Sequence, residues 1–459
     1  MANQSISSST GLNGMFIFDR LYGQIRFPPI LQEALDCPGL MRLREVRMAN
    51  IPFFSFPSFA AVTRYEHSLG VCYLAGKFAE AVGLSEKDKI ELMLAGLYHD
   101  VATPPFAHAM EEVLHELFGF DHERKLHDLI IGKTDDLGGH RTQLFLGRAL
   151  KLHKICQSSK GRKLNLDVYR IAALTAGSET DVMGDLICSN DIDFDNIDNV
   201  VRAASAMGIR DFDPNMCTAL SKSFIIDGSK FNISQPALSY VRMWQRLRET
   251  LYGMIFASLL DFSFQSMLKD AVRRLYRSHA LERLNESDWC LTDDQLIHQR
   301  LLLYSPSAHI INRMRLGKPY VCLAWLLLEG NDLPVRIPKS LDSIESVAQE
   351  VFADYKDRIL TPKTGKFSSP QVVVNFYLDK RKRLIRRSFL FQKQRRQMED
   401  QIPPTKAVLG VFTPHYRGWD ETALKSFVQL LSGRLPGVTI KKIQVTPGKY
   451  PDIQAEEVV

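Results

Sequence analysis

Histidine and aspartate residues at four places in this chain have the types and positions expected of a metal site. His99 and Asp100 are adjacent, and adjacent residues cannot share one helical face, although at a helix end both can turn toward one ion. His67 offers a third ligand from an earlier helix, and the stretch DIDFDNID at 191–198 offers a later carboxylate. Such a mixed imidazole and carboxylate set suits Mn, Fe, Zn or, less well, Mg, with water in the open positions.

The distribution of histidine supports a functional site in the same part of the chain. Six of the twelve histidines lie between residues 67 and 127, a cluster that indicates metal binding or acid–base chemistry. The acidic stretch 191–198 does not read as a calcium loop, because Asn196 stands where glycine is needed and Arg202 where glutamate is needed.

The elements that must position these residues are predicted to be helices. Apolar residues recur at three- and four-residue spacing over 67–82 and over 86–98, the latter behind a Ser85-x-x-Asp88 capping signal. The short break between these helices predicts antiparallel neighbours, which brings His67 close to His99 and Asp100. Further helices are predicted over 196–208 and, as one long helix, over 236–276.

The character of the sequence changes after about residue 330. Four short runs rich in proline or β-branched residues read as strands, and a helix is predicted near Asp420 or Thr422. The runs are LPVRIP, QVVVNFYL, KAVLGVFTP and GVTIKKIQV. The predicted fold is mainly α, with a flexible N-terminus at 1–15, a helical domain at 16–300 and a small C-terminal α+β lobe at 301–459.

The composition of the chain limits the classes of protein to which it can belong. The chain has 459 residues, of which 45% are hydrophobic and 24% charged, as in ordinary globular proteins. No apolar run approaches the length of a membrane span, and the N-terminus has no signal-peptide pattern. The seven cysteines are scattered and never form a C-x-x-C pair, which favours a reducing compartment. We expect a soluble, cytoplasmic protein without a membrane partner.

One basic stripe, residues 380–396, accounts for the positive net charge. It holds nine Lys or Arg and no acid, so the remaining chain has 49 basic against 52 acidic residues, since 58 less nine is 49. A solvated face explains such a stripe as well as a binding site does. The binding alternatives are an oligomer interface that takes a regulatory nucleotide and single-stranded nucleic acid.

Several motifs, taken together, resemble one enzyme family. RYEHSLGVCYLAG (64–76), AGLYHDVATPPFAHAMEEVL (95–114), DHERKLHDLI (121–130) and IDFDNIDNVVRAA (192–204) resemble, in order and spacing, the HD-domain deoxynucleotide triphosphohydrolases. This family comprises the bacterial dGTPases and the eukaryotic SAM-and-HD-domain dNTPases. The resemblance covers roughly residues 16–280 and identifies 16–300 as an HD phosphohydrolase domain.

The resemblance implies a role for each matching residue. It assigns the metal to His67, His99, Asp100 and Asp195. It places His108, His122, Glu111 and Glu123 around the scissile phosphate, where a histidine and an acid organise proton transfer to the leaving 5′-oxygen. Arg64, Arg202 and Arg248 are its phosphate-binding cations, since guanidinium forks suit phosphate oxygens.

The chain also departs from the family pattern. Thr103 and Pro104 replace a histidine and a glycine in H-D-x-x-H-G-P-F, so one active-site imidazole is missing. Met48-Ala49 stand where the family has a Gln-Leu pair near the sugar, and Asn196 and Asn199 replace a lysine and a tyrosine. These changes affect the choice of sugar and base and leave the metal set intact.

The function implied by the resemblance is a metal-dependent dNTP triphosphohydrolase that releases deoxynucleoside and triphosphate, with dGTP favoured. It also implies a dNTP regulator, a tetramer or hexamer, and a role in depleting dNTP pools or in antiviral or antiphage defence. The alternative is a nucleotide-sensing or single-stranded nucleic-acid-binding module with weak catalysis, which Thr103 and the basic stripe motivate. All four metal ligands are present, which favours the enzyme.

Overall fold

The computed structural model describes residues 16–457 except for the following gaps: 51–53, 135–151, 177–180, 189–191, 214, 228–229, 279–283, 331–332, 353–371, 379–404, 414–420 and 444–454. The predicted flexible N-terminus at 1–15 and the basic stripe 380–396 lie outside the described residues.

The first three hundred residues are mainly helical, as predicted. The strands in the described part of this region form two small antiparallel hairpins. The helices are α1 (Pro29–Leu35), α2 (Pro38–Arg42), α3 (Pro57–Ala60), α4 (Arg64–Val82), α5 (Glu86–Tyr98), α6 (Ala107–Phe118), α7 (His122–Ile130), α8 (Ser159–Leu164), α9 (Val168–Thr175), α10 (Phe194–Ala206), α11 (Met216–Lys222), α12 (Leu238–Ala257), α13 (Leu259–Arg277) and α14 (Asp293–Gln299), and the strands are β1 (Phe16–Asp19), β2 (Gly23–Arg26), β3 (Phe224–Asp227) and β4 (Lys230–Ile233).

Helices α4 and α5 form the predicted antiparallel pair at the centre of this region. The Ser85 hydroxyl accepts the N–H of Asp88 and caps α5, which confirms the capping signal. Gly83 ends α4 with φ of 72°, a left-handed conformation that glycine adopts without the steric cost of a Cβ. The turn is therefore tight, and it brings the start of α4 near the end of α5.

The prediction of one long helix over 236–276 is wrong. The chain breaks at Ser258 between α12 and α13, which are bent by 69°. The Ser258 side chain accepts the N–H of Asp261 and caps α13. This side-chain hydrogen bond takes the place of the backbone hydrogen bond that Asp261 would make in a continuous helix. Within the described residues no single helix is long and apolar enough to cross a membrane, and this bent pair alone passes that test.

The C-terminal lobe contains a five-stranded antiparallel sheet in the order β6-β7-β5-β8-β9. Its elements are α15 (Ser305–Arg315), β5 (Val321–Gly330), α16 (Leu333–Phe352), β6 (Val373–Leu378), β7 (Thr405–Thr413), α17 (Glu421–Arg434), β8 (Thr439–Ile443) and β9 (Ala455–Glu457). Three of the four predicted strands are present, and the predicted helix is α17.

The prediction of a strand at LPVRIP is wrong, because these residues begin α16. Pro334 falls in the first helical turn, where a missing N–H costs no hydrogen bond. Leu333, Ile337, Ile344 and Ala348 are buried in one apolar cluster with the sheet. Their helical spacing shows that hydrophobic periodicity over the whole segment predicts its structure better than the strand-like composition of its first six residues does.

Both faces of the sheet are covered by other parts of the protein. Side chains of α16 and α17 cover one face, while Val373, Val408 and Phe412 of the other face join the core of the helical domain. Helix α13 lies at this junction, where Phe262 contacts Trp325 and Phe412 with ring centroids 5.8 and 6.0 Å apart. The same α13 packs against α6, so it connects the sheet with a helix of the predicted site.

Candidate metal centre and acid–base cluster

Three helix ends carry the residues predicted to bind metal. His67 lies in the first turn of α4, His99 caps the C-terminus of α5, and Asp195 lies in the first turn of α10. Thr63 caps α4 and Asp193 caps α10 through their side chains, so both helix starts are fixed. The predicted ligands therefore come from helices whose starts the capping residues fix.

The structure brings two imidazoles and a carboxylate to one point. The Nε2 atoms of His67 and His99 are 3.3 Å apart, and Asp195 Oδ1 lies 2.9 Å and 3.8 Å from them. One ligand atom from each residue falls within 4.8 Å of the others, a spacing that can hold a metal ion. The side chains of His67 and His99 are buried, whereas that of Asp195 is 27% exposed, which leaves the centre open on its side.

Hydrogen bonds on the far side of each ring test whether these residues fit a metal. The Nδ1 of His99 donates to the carbonyl oxygen of Gly96 at 2.8 Å, and the Nδ1 of His67 lies 2.7 Å from Asp198 Oδ1. A proton on each Nδ1 leaves the two Nε2 lone pairs facing one another, an arrangement that a shared cation satisfies. The donor set therefore fits a divalent metal.

Asp100, the remaining predicted ligand, lies at the edge of this group. Its Oδ2 is 3.6 Å from His99 Nε2 and 3.9 Å from His67 Nε2. Both of its oxygens accept from Arg64 Nη1, at 2.8 and 2.7 Å, and its Oδ1 also accepts from the Thr103 hydroxyl at 2.9 Å. Burial alone would raise the pKa of Asp100, but Arg64, together with the charges of His99 and His67, outweighs burial and holds the pKa well below its usual range.

Excess negative charge surrounds His67. Burial lowers the pKa of this histidine, yet hydrogen bonds with Asp195 and Asp198 outweigh burial and raise the pKa to about 9. The carboxylates that favour a proton on the ring also favour a metal cation beside it.

The residues predicted for acid–base chemistry form a second cluster at the start of α6 and α7. Glu111 bridges two histidines, with Oε2 3.0 Å from His108 Nδ1 and Oε1 3.0 Å from His122 Nδ1. The His108 side chain is 67% exposed and that of His122 27%. Glu123 lies in the first turn of α7, is exposed, and acts on His122 through charge.

Charge pairing sets the protonation of this cluster. Burial would raise the pKa of Glu111, but its bonds to His108 and His122 hold that pKa well below the usual range. Burial would lower the pKa of His122, while Glu111, Asp100 and Glu123 together raise it. The raised pKa of His122 keeps its proton to higher pH, and the bond to Glu111 orients the ring.

A strained turn joins the two clusters. Phe106 and Ala107 have φ of 55° and 47°, values that non-glycine residues adopt only when neighbours compensate for the strain. The buried Asp293 accepts the N–H of Phe106 at 2.8 Å, and Arg42 donates to the carbonyl oxygens of Val101 and Thr103. These bonds fix the turn that leads from Asp100 into α6.

The three arginines predicted to bind the substrate lie in three different surroundings. Arg64 faces the metal group and holds Asp100. Arg202 does not reach the open side of the centre, because it is fully buried and its guanidinium binds Asp198 and Asp19. Arg248 is buried on α12 with its guanidinium 4.6 Å from the centre of the Tyr252 ring.

Sequence reasoning named Asp198 only among four carboxylates that could bind the metal and gave it no role beside the predicted ligands. Asp198 was one of several acids in 191–198, and the structure shows it contacting His67 on the side away from Asp195. Its position on the predicted helix could have indicated this role. Asp198 follows Asp195 by three residues and precedes Arg202 by four on α10, and residues at these spacings are neighbours on a helix.

Comparison with known proteins identifies relatives of part of this chain. Residues 64–135 match the HD domain family. The human deoxynucleoside triphosphate triphosphohydrolase SAMHD1 is 37% identical over 102 residues, which cover 21% of this chain and 16% of that protein. The SAMHD1 homolog of Dictyostelium discoideum is 30% identical over 140 residues, which cover 28% of this chain and 27% of that protein. The match therefore spans a sixth to about a quarter of these relatives.

A solved structure extends the comparison to the fold. The crystal structure of a hypothetical protein from Aquifex aeolicus has a TM-score of 0.60 and 17% identity, covering 91% of this chain and all of that one. This likeness concerns the fold alone. The sequence matches show that residues 64–135 match the HD domain family and that part of this chain is similar to the two SAMHD1 proteins named above, in agreement with the resemblance of its motifs.

Proposed function

We propose that this protein is a divalent-metal-dependent phosphohydrolase that splits a dNTP into deoxynucleoside and triphosphate. The observation that carries the proposal is the convergence of His67, His99 and Asp195 next to an acid–base cluster built on Glu111. The similarity of the HD region to proteins named as dNTP triphosphohydrolases supports the choice of substrate. A metal bound here would polarise a phosphoryl oxygen and lower the pKa of a bound water.

The residues of the chain then have separate tasks. His67, His99 and Asp195 hold the metal, while Arg64 keeps Asp100 ionised and oriented toward it. His122, charged and held by Glu111, donates a proton to the 5′-oxygen as that oxygen leaves the α-phosphorus. His108 is bound to the other oxygen of Glu111, so it adjusts how strongly Glu111 holds His122.

Thr103 adapts the site to the missing family histidine. Its hydroxyl donates to Asp100, so the side chain at this position stabilises a charge near the metal instead of offering an imidazole to the substrate. Proton transfer therefore depends on His122 and His108, whose Nδ1 atoms both bind Glu111.

Product analysis tests the reaction. Purified protein is incubated with each dNTP, alone and in pairs, with Mn²⁺ or Mg²⁺, and the products are separated. We expect deoxynucleoside and intact triphosphate, with dGTP the best substrate, and heavy oxygen from labelled water in the triphosphate only. Release of dNMP with pyrophosphate, or of dNDP with phosphate, contradicts the proposal.

A second candidate function is nucleotide sensing with weak catalysis. It is favoured by the state of Arg64 and Arg202, whose guanidinium groups bind Asp100 and Asp198 and are therefore partly or wholly committed to the protein. Saturable dNTP binding without product formation under every metal condition above would favour this candidate over the enzyme.

Regulation by a second dNTP and assembly into a tetramer or hexamer are part of the proposal. They rest on the resemblance and on the basic stripe, whose charges a bound polyanion would neutralise. Changing Lys382, Arg383, Arg386 and Arg387 to glutamine should weaken dNTP activation and assembly without altering metal content. If this variant assembles and responds normally but loses salt-sensitive binding to single-stranded DNA or RNA, the stripe is a nucleic-acid site.

A further inference from the structure

Asp198 is buried behind the metal group and makes four polar contacts, of which three are fully buried and the one with Tyr22 is partly buried. Its Oδ1 binds His67 Nδ1 at 2.7 Å and Arg202 Nε at 2.8 Å. Its Oδ2 accepts from the Tyr22 hydroxyl at 2.7 Å and from Arg202 Nη2 at 2.9 Å. Three donors from three elements therefore fix both carboxylate oxygens, and Asp198 can rotate only if several buried bonds break.

The bonds of Tyr22 and Arg202 lead to the N-terminal hairpin β1–β2. Arg202 Nη1 donates to Asp19 Oδ2 at 2.8 Å, and Asp19 Oδ1 accepts the N–H groups of Leu21 and Tyr22. The Tyr22 ring also lies against Tyr73 of α4, with centroids 4.7 Å apart. The hairpin is thus fastened to α10 and α4 at the point where Asp198 meets His67.

Gly70 shows that α4 is shaped to admit this carboxylate. It follows His67 by three residues on α4 and therefore lies near the same face. A Cβ at this position would be 2.0 Å from Asp198 Oδ2 and 2.6 Å from Arg202 Nη2. Any larger residue at position 70 would displace the Asp198 carboxylate.

We propose that Tyr22, Arg202 and Asp198 are positioning residues for the metal, so that the hairpin β1–β2 is part of the metal site. Asp198 keeps the proton of His67 on Nδ1, which leaves the Nε2 lone pair available to a metal ion that His99 and Asp195 would also hold. A carboxylate bonded to the far side of a ligating imidazole orients the ring and increases its basicity, and loss of such a partner typically weakens metal binding about 10- to 100-fold.

This inference rests on the proposed metal centre, and its test separates the two. Tyr22→Phe removes one hydroxyl and leaves the three ligands intact. Tyr320→Phe is the matched control, because the buried Tyr320 hydroxyl also donates to a carboxylate, Asp270 Oδ2, at 2.7 Å outside the site. The affinity of each metal-free protein for Mn²⁺ is measured by calorimetry, with circular dichroism to establish that each is folded.

We expect Tyr22→Phe to weaken Mn²⁺ binding about tenfold and Tyr320→Phe to bind like wild type. Equal Mn²⁺ affinities in wild type and both variants overturn the inference while leaving the metal centre in place. Equal weakening in both variants also overturns it, because the loss would then follow from general destabilisation. If wild type itself binds no Mn²⁺, the metal centre fails and this inference fails with it.

Two further variants should weaken Mn²⁺ binding to a greater extent. Asp198→Asn keeps an oxygen for His67 but removes the charge, and Gly70→Ala pushes the carboxylate away from its place. We expect each to weaken Mn²⁺ binding more than Tyr22→Phe does. Wild-type Mn²⁺ affinity in folded Gly70→Ala protein contradicts the role given to the Asp198 position.

Discussion

The metal group and the acid–base cluster differ in how firmly the protein holds them. His67 and His99 are 1% and 5% exposed, and hydrogen bonds on their far sides fix both rings. In the cluster on α6 and α7, the His108 side chain is 67% exposed, and one carboxylate, that of Glu111, binds both histidines. Burial thus fixes the proposed metal ligands before a substrate arrives, while the proposed proton donor, His122, depends on a single shared partner.

This difference suits the two tasks. A metal site gains affinity from ligands that need no rearrangement, because rigid ligands lose little conformational entropy on binding. A proton donor must be oriented toward the leaving oxygen, and in the cluster this orientation depends on the bond between His122 and Glu111. Changes in the metal group should therefore abolish function, and changes in the cluster should reduce it by degrees.

The largest effect is expected from removing a metal ligand. Asp195→Ala, or His99→Ala with Asp100→Ala, should remove bound metal and lower activity by roughly a thousandfold or more, since metal catalysis supplies several kcal/mol. Helical content should stay the same, because the ligands lie at helix ends and not in the packed core. Elemental analysis, product assays and circular dichroism check these outcomes.

The matched control for this change is Asp294→Ala, which removes a carboxylate that is 69% exposed. It should retain metal and activity. Stoichiometric metal in the purified His99 and Asp100 double variant would show that the ion binds elsewhere.

The next largest effect is expected at Glu111. Glu111→Gln should lower kcat by roughly a hundredfold to ten-thousandfold, the usual contribution of general acid–base catalysis, with metal content unchanged. Glu111 raises the pKa of His122, so its loss lowers that pKa. The protonated donor is then lost at a lower pH, and the alkaline limb of the kcat profile should move toward acid pH.

The control for Glu111→Gln lies on the same helix. Glu116→Gln alters an acid that pairs with Arg273 and is 42% exposed, and it should leave the pH profile in place. A Glu111→Gln enzyme with reduced kcat but an unmoved alkaline limb would show that Glu111 does not act through His122.

The two regions also differ in how far the sequence predicted them. His67 and His99 were recognisable because residue type and helix-end position together indicate a shared ion, and helical periodicity predicted the α4 and α5 pair that joins them. Asp195 was chosen among the acids of 191–198 only through the family resemblance. Asp198 and Tyr22 were not singled out, because 176 residues separate these bonded partners and nothing local marks the contact. The break at Ser258 was missed for a related reason, since periodicity continues on both sides and one side-chain cap decides the bend.

A tenfold effect is expected at Arg64. Its Nη1 holds both oxygens of Asp100, and lysine cannot reproduce the geometry of a guanidinium. Arg64→Lys should weaken metal binding about tenfold by releasing Asp100, a loss typical of a partner that orients a ligand. Saturating metal should then restore kcat/KM. A raised KM that persists at saturating metal would show instead that Arg64 binds the phosphates itself.

The smallest effect is expected where the C-terminal sheet reaches the cluster. Lys269 on α13 is buried and donates to Glu112 of α6 and, at 2.9 Å, to Asn375 Oδ1 of β6. Lys269→Met should lower the free energy of unfolding by about 1–2 kcal/mol, since the Glu112 carboxylate is 49% exposed and water replaces its partner.

The effect of Lys269→Met on catalysis distinguishes a change in the position of Glu111 from a change in the protonation of His122. Glu112 is next to Glu111 on α6, so loosening the helix moves Glu111 and should reduce kcat a few-fold, while the bonds from Glu111 to His122 remain. The alkaline limb should therefore stay where it is in wild type, unlike in Glu111→Gln. Arg273→Met, which breaks a pair nearer the surface on the same two helices, should cost less than about 1 kcal/mol and leave kcat unchanged. If Lys269→Met displaces the alkaline limb, then α13 controls the protonation of the cluster as well as its position, and the two regions are not held independently.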